Sequence, residues 1–165
     1  MDHYTLFIGY GNSLRRDDGA GLVLATKLAA YWRQRGYYVR HLQVQQLTPD
    51  LAFDITAADV GAVVFVDAAI APAGVYEDDE EVDSGLGVNI EQVGATSATA
   101  GLGHHMDAGE LMVYAELLYR RRPAAWLVTV PGLDFSYGDR LSAPVAKLIG
   151  MADSVAKKLM DLLAL

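Results

Sequence analysis

Strands alternating with helices predict an α/β protein: a three-layer α/β/α sandwich built on a mostly parallel, twisted sheet of about five strands. Two observations weigh most. Residues 62–66 are an apolar run without alternation, the pattern of a strand buried on both faces of a parallel sheet. Toward the C-terminus, Val145, Leu148, Ile149, Ala152, Val155, Ala156, Leu159 and Leu163 fall on one helical stripe, suited to covering such a sheet.

The elements follow in order. Residues 4–10 form a short apolar strand, stopped by Gly9-Tyr10-Gly11-Asn12. A loop carrying Arg15, Arg16, Asp17 and Asp18 leads into a helix over about 19–35, rich in Ala and Leu and closed by Gly36. A second strand covers 37–45. Thr48-Pro49-Asp50 opens a short helix that ends by 59–61. The buried strand 62–66 stops at Asp67, and the turn Ala71-Pro72-Ala73-Gly74 comes next. The acidic stretch 77–83 precedes a fourth candidate strand at 88–93. Asp107 and Glu110 form a capping pair for a helix that places Ala108, Leu111, Met112, Ala115 and Leu118 on one face. A fifth strand covers 126–130. One last helix starts near Ser142, a good N-cap with Pro144 in its first turn. No internal repeat breaks the chain, so residues 1–165 are expected to form a single domain.

Composition excludes several function classes. The 165 residues are 52% hydrophobic, enough for a core without disulfide or metal staples. The absence of cysteine removes a disulfide framework, a thiolate zinc site, an iron–sulfur cluster and a cysteine nucleophile. Thirteen basic against 21 acidic residues leave a net charge of −8, the wrong sign for general binding to nucleic acid or to an anionic membrane. No apolar run is long enough to span a membrane, and the start Met1-Asp2-His3-Tyr4 is unlike a signal peptide. A soluble cytoplasmic protein without nucleic-acid or membrane partners is expected.

In an open parallel sheet, sites gather beyond the carboxyl ends of the strands. Segment 11–18, Asp67 and segment 99–105 all fall there, which brings Asp17, Asp18, Asp67, His104 and His105 toward one edge. A carboxylate ending an apolar strand needs a partner, because an unpaired buried charge is costly. Two carboxylates and an imidazole suit a borderline divalent ion such as nickel or zinc, with a further position open to water or substrate. Such an ion polarises a carbonyl and activates water for hydrolysis. Ordinary solvated Asp and His side chains are the plainer alternative. Gly9-Tyr10-Gly11 also invites comparison with a dinucleotide loop, but Leu14 stands where its third small residue belongs. Gln43, Gln45 and Gln46 stand where the second strand would need an acid. Neither a G-x-S-x-G elbow nor an H-E-x-x-H helix is present. Asp17 is expected to be a helix N-terminal acid, and Arg120-Arg121-Arg122 to complement the C-terminal dipole of their own helix. His3 and His41 are expected at the surface, and 77–81 as a solvated loop.

The segment Gly9-Tyr10-Gly11-Asn12-Ser13-Leu14-Arg15-Arg16-Asp17-Asp18-Gly19-Ala20-Gly21 goes further than a turn. It resembles the signature of the nickel–iron hydrogenase maturation proteases, G-x-G-N-x-L-x-x-D-[DE]-x-x-G. Three later segments agree in order and type. Ala62-Val63-Val64-Phe65-Val66-Asp67-Ala68 resembles the family's apolar strand ending in Asp-Ala. Gly103-His104-His105-Met106-Asp107-Ala108-Gly109-Glu110 resembles its histidine loop and helix entry. Residues 126–131, with Leu141-Ser142-Ala143-Pro144-Val145, resemble its last strand and helix entry. The resemblance covers nearly the whole chain.

What it implies is a monomeric cytoplasmic endopeptidase of α/β/α fold. Such an enzyme removes a short C-terminal extension from a hydrogenase large-subunit precursor after nickel has been loaded. The implied metal-binding positions are Asp18, Asp67 and His104, with Asp18 and Asp67 also catalytic. Asn12 is a candidate substrate contact or bonds its own turn, and His105 is a candidate substrate contact or a solvated neighbour of the site. Nickel is expected to arrive with the precursor, and no organic cofactor is expected. The family often has Glu where this chain has Asp18. The pair His104-His105 leaves the register open; His104, which precedes Glu110 by six, is preferred. Two other classes compete with the protease: a non-cleaving module that checks the precursor's nickel, and a nucleotide-binding α/β enzyme.

Overall fold

A computed structural model of the chain describes residues 3–72, 87–94 and 105–165. The acidic stretch 77–83 and the segment 99–104, His104 included, lie outside the described residues.

Five strands form one sheet: β1 (Tyr4–Tyr10), β2 (Val39–Val44), β3 (Val60–Ile70), β4 (Asn89–Gln92) and β5 (Ala124–Gly132). Their order is β2-β1-β3-β5-β4. All neighbours pair parallel except β4, which runs antiparallel on β5. The helices are α1 (Ala20–Arg33), α2 (Leu51–Ile55), α3 (Ala108–Tyr119), α4 (Ala143–Ile149) and α5 (Ala152–Leu162).

Side chains alternate across a strand, so each buried strand feeds two cores. Phe7, Val64, Val66, Val128 and Val130 face α1, α4 and α5, where they meet Leu24, Leu28, Trp32, Val145 and Leu159. Leu6, Ile8, Val63 and Phe65 face the opposite layer, with Leu51, Ile55, Leu111 and Met112 of α2 and α3. This is the expected α/β/α sandwich. Trp32 fastens one outer layer: its ring meets Phe7 edge-on at 5.2 Å, and its Nε1 donates to the Ala156 carbonyl at 3.2 Å.

The chain leaves β1 through α1 on one face to reach β2, then returns through α2 on the other face to reach β3. The order therefore reverses between β1 and β3. That reversal opens a crevice at the carboxyl ends of these strands, where α/β proteins place their ligands.

Several expectations need correction. β3 does not stop at Asp67; it continues to Ile70 because β5 runs on beside it, pairing Asp67 with Thr129 and Ile70 with Gly132. The expected last helix is two, α4 and α5, interrupted at Gly150 and Met151. There the Met151 amide bonds the Leu148 carbonyl in a tighter turn before the helix resumes. The apolar stripe crosses the break intact, with Val145, Leu148, Ile149, Ala152, Ala156 and Leu159 buried and Val155 and Leu163 half-buried. Leu118 leaves its expected face and is exposed. Asp107 and Glu110 do form the reciprocal capping box, at 2.7 and 2.9 Å.

The arginine cluster after α3 does more than complement its own helix. Arg120 takes the left-handed C-cap conformation (φ 55°). Arg121 then reaches back to the carbonyls of Thr56, Ala57 and Val60, at the exit of α2. It neutralises the C-terminal carbonyls of a neighbouring helix and ties α3 to the start of β3.

Candidate active site

Three glycines shape the crevice by letting backbone approach backbone. A Cβ on Gly9 would lie 2.7 Å from that of Ala25, so α1 rests directly on β1. A Cβ on Gly21 would lie 2.7 Å from the Val66 carbonyl and 2.8 Å from the Asp67 Cα, so the first turn of α1 presses on β3. Gly11 has φ +141°, and a Cβ there would overlap the Asp18 carbonyl. The loop after β1 thus folds back on the 3-10 turn Arg16–Gly19. Asn12 pins it: its side-chain oxygen accepts from the Leu14 amide at 2.9 Å, an Asx-type turn. The Asn12 amide donates to Asp18 Oδ2 at 2.9 Å.

The result is a cleft of about 340 Å³, lined by Tyr10, Asn12, Asp18, Asp67, His105 and Met106 among others. Asp18 enters from the 3-10 turn and Asp67 from β3. His105 stands exposed just before the capped N-terminus of α3. Of the expected site residues, the fold brings Asn12, Asp18, Asp67 and His105 together. His104 lies outside the described residues. Among the described residues, no group of three or more His, Asp or Glu side chains forms a metal cage.

Asp67 is strongly perturbed. Burial pushes its carboxyl up to about 7. The Ala68 amide, donating at 2.8 Å, opposes the shift; the Asp18 charge adds to it; and a hydrogen bond from the Tyr10 hydroxyl opposes it. Tyr10 itself is driven upward by burial and by the charges of Asp67 and Asp107, so it stays a protonated donor. A carboxyl balanced between its two states at neutral pH can both take and return a proton. Asp18, beside it, accepts a backbone hydrogen bond.

Asp17 does not belong to this cleft, nor is it merely a helix-end acid. Its side chain is fully buried on the other side of the loop. There it accepts from the amides of Leu133, Asp134 and Ser142 and from the Ser142 hydroxyl, at 2.7–2.9 Å. Burial alone would raise it, but these bonds win and hold it below the usual carboxylate range. Adjacent acids thus do different work: Asp18 faces the cleft, while Asp17 locks the loop to the segment between β5 and α4.

Tyr10, Gln45, Gln46 and Met106 also line the cleft, and sequence reasoning passed over them as site residues. Tyr10 stood in the signature only as an unspecified position; its hydrogen bond to Asp67 depends on the β1–β3 register.

No protein-family profile and no curated protein matches the sequence. Solved structures do. The hydrogenase maturating endopeptidase HybD from E. coli aligns with a TM-score of 0.67 at 16% identity, over 96% of this chain and 92% of that one. The [NiFe] hydrogenase maturation protease HycI from Thermococcus kodakarensis aligns with a TM-score of 0.62 at 18% identity, over 98% and 93%. The maturation protease HybD from Thermococcus kodakarensis aligns with a TM-score of 0.58 at 19% identity, over 94% and 98%. The chain has the hydrogenase maturation protease fold. Within this fold the two carboxylates lie at the switch-point crevice, between a glycine-shaped loop and a buried strand.

Proposed function

We propose that this protein is an endopeptidase that removes the C-terminal extension of a nickel-loaded [NiFe] hydrogenase large-subunit precursor. One observation carries the reading: Asp18 and Asp67 converge on one cleft at the switch point of a maturation-protease fold. The structural relatives are maturation proteases by name, and the thirteen-residue signature resembles theirs.

In this reading nickel is part of the substrate. Asp18, Asp67 and His104 take up open positions on the precursor's metal, with His105 at the cleft rim as a further contact. Asn12 holds Asp18 through its amide and lines the path of the substrate chain. Nickel, when presented, polarises the scissile carbonyl and acidifies water. One of the two carboxylates serves as general base, takes the proton from the attacking water and returns it to the leaving amine. The Tyr10 hydroxyl and the Ala68 amide keep the Asp67 carboxyl oriented. The expected compartment is the cytoplasm, and the expected state a monomer.

The test is intact-mass analysis of nickel-loaded and nickel-free cognate precursor mixed with the protein. Loss of a C-terminal peptide from the loaded form alone is expected. Asp18→Asn and Asp67→Asn, folded as judged by circular dichroism, are expected to lose cleavage. Full cleavage by both variants would refute the assignment. Docking of the precursor without cleavage by the unaltered protein would mean a nickel-checking module instead.

A further inference from the structure

The outermost strand β2 has one side paired with β1 and one side free. Its hydrogen-bond parity follows from two contacts. The Tyr38 carbonyl accepts from the Thr5 amide at 3.1 Å, and the Val44 carbonyl from the Gly11 amide at 3.3 Å. Within a strand, the N–H and C=O of one residue point to the same side, and successive residues alternate. Even-numbered residues of β2 therefore bond β1, while Val39, His41 and Gln43 turn their backbone outward. The Val39 carbonyl is taken by the Arg33 guanidinium at 3.3 Å. Among the described residues, the outward amides and carbonyls of His41 and Gln43 meet no partner. A row of unpaired groups at a sheet edge is a template for another strand.

This edge leads into the cleft. A recess of about 290 Å³ borders its start, lined by Arg33, Val39, His41 and Leu42 among others. A second of about 290 Å³ borders its end, lined by Leu14, Leu22, Gln43 and Gln45 among others. The second recess shares Gly11, Asn12 and Gln45 with the cleft that holds Asp18 and Asp67. The second recess thus joins the end of the edge to the cleft. A strand added along β2 would span roughly 20 Å at 3.3 Å per residue and place alternate side chains in the recesses.

We propose that the free edge of β2 binds the precursor's C-terminal extension as an added antiparallel strand, which runs from the cleft toward Val39. The proposal rests on the protease reading above and names the surface that presents its substrate. The direction follows from connectivity. The precursor's folded body lies upstream of the scissile bond, so the downstream extension is the part free to lie along the edge. Leaving the cleft at the carboxyl end of β2, it runs against β2.

The experiment uses the isotope-labelled full chain and a synthetic peptide of the cognate precursor's extension. Amide exchange at His41 and Gln43 is expected to slow at least tenfold with peptide, while that of Phe65 in the sheet interior stays unchanged. N-methylation of alternate peptide amides is expected to weaken binding about tenfold each, the loss of one hydrogen bond, and methylation of the intervening amides to be tolerated. Gln43→Pro removes an outward amide and leaves the β1 ladder intact. It is expected to raise KM for the precursor about tenfold while kcat changes less than threefold. Cleavage with an unprotected edge and no period of two in the methylation series would overturn the proposal and leave the protease reading standing. Protection of His41 and Gln43 by self-association without peptide would overturn it too, by giving the edge to a second copy. Failure of the protease reading shows separately, as no cleavage by the unaltered protein.

Discussion

Asp17 and Asp18 are adjacent in sequence and opposite in environment, and their variants should behave accordingly. Asp17→Ala strands the amides of Leu133, Asp134 and Ser142 without their acceptor. A loss of order 3–5 kcal/mol is expected, as for other broken buried charged networks, measured by urea unfolding at pH 7. Because these bonds lower the Asp17 carboxyl in the folded state, its stabilisation is full above the unfolded value near 3.8. It is lost as pH falls through the folded value. Asp67 has the reverse sign. Its folded carboxyl titrates near 7 against 3.8 when unfolded, so the folded state holds the extra proton between these values and stability declines as pH rises through them. Asp67→Asn should therefore be more stable than the parent at pH 8, with the difference gone by about pH 4, while cleavage is lost. Thermal unfolding across that range measures it.

Contacts between elements turn on residues without side chains. Gly21→Ala would drive a methyl into the Val66 carbonyl and the Asp67 Cα, which lifts α1 from β3. A cost of about 1–3 kcal/mol is expected, together with reduced cleavage, because the same shift moves Asp67; unfolding and cleavage measured on one preparation check both. The type and spacing of these glycines were legible in the sequence, and the resemblance to a signature rested on them. Their reason was not, since it lies in the approach of segments 45 residues apart, as from Gly21 to Val66. The same applies to β3. Its apolar run stops at Asp67, so the sequence suggested a strand end there, but strand length is decided by β5 alongside. The capping box of α3 was legible because both partners are local; the reach of Arg121 to the exit of α2 was not.

At the scale of the molecule, the sandwich and its parallel sheet were readable because a buried strand and an amphipathic helix each carry their own periodicity. The gathering of Asp18 and Asp67 was readable through the rule for strand ends. Tyr10 and the outward edge of β2 were not, since register and sheet order decide them. Both core clusters draw on β1, β3 and β5, so neither helical layer has a core without the sheet. Unfolding is accordingly expected to be a single cooperative transition, with far-UV circular dichroism and the fluorescence of Trp32 and Trp126 following one curve. Separate midpoints would show that the layers come apart independently.

The lock formed by Asp17 also has a consequence for timing. Its partners Leu133, Asp134 and Ser142 lie 116–125 residues downstream. During synthesis the groups that fasten the loop carrying Asp18 emerge more than a hundred residues after it. Contacts so distant along the chain form late, because closing the intervening loop must come first. A nascent chain that has not yet presented residues 133–142 therefore has an unfastened loop and an unfinished cleft. Emergence of that segment is what completes the cleft, so a partly made copy lacks it.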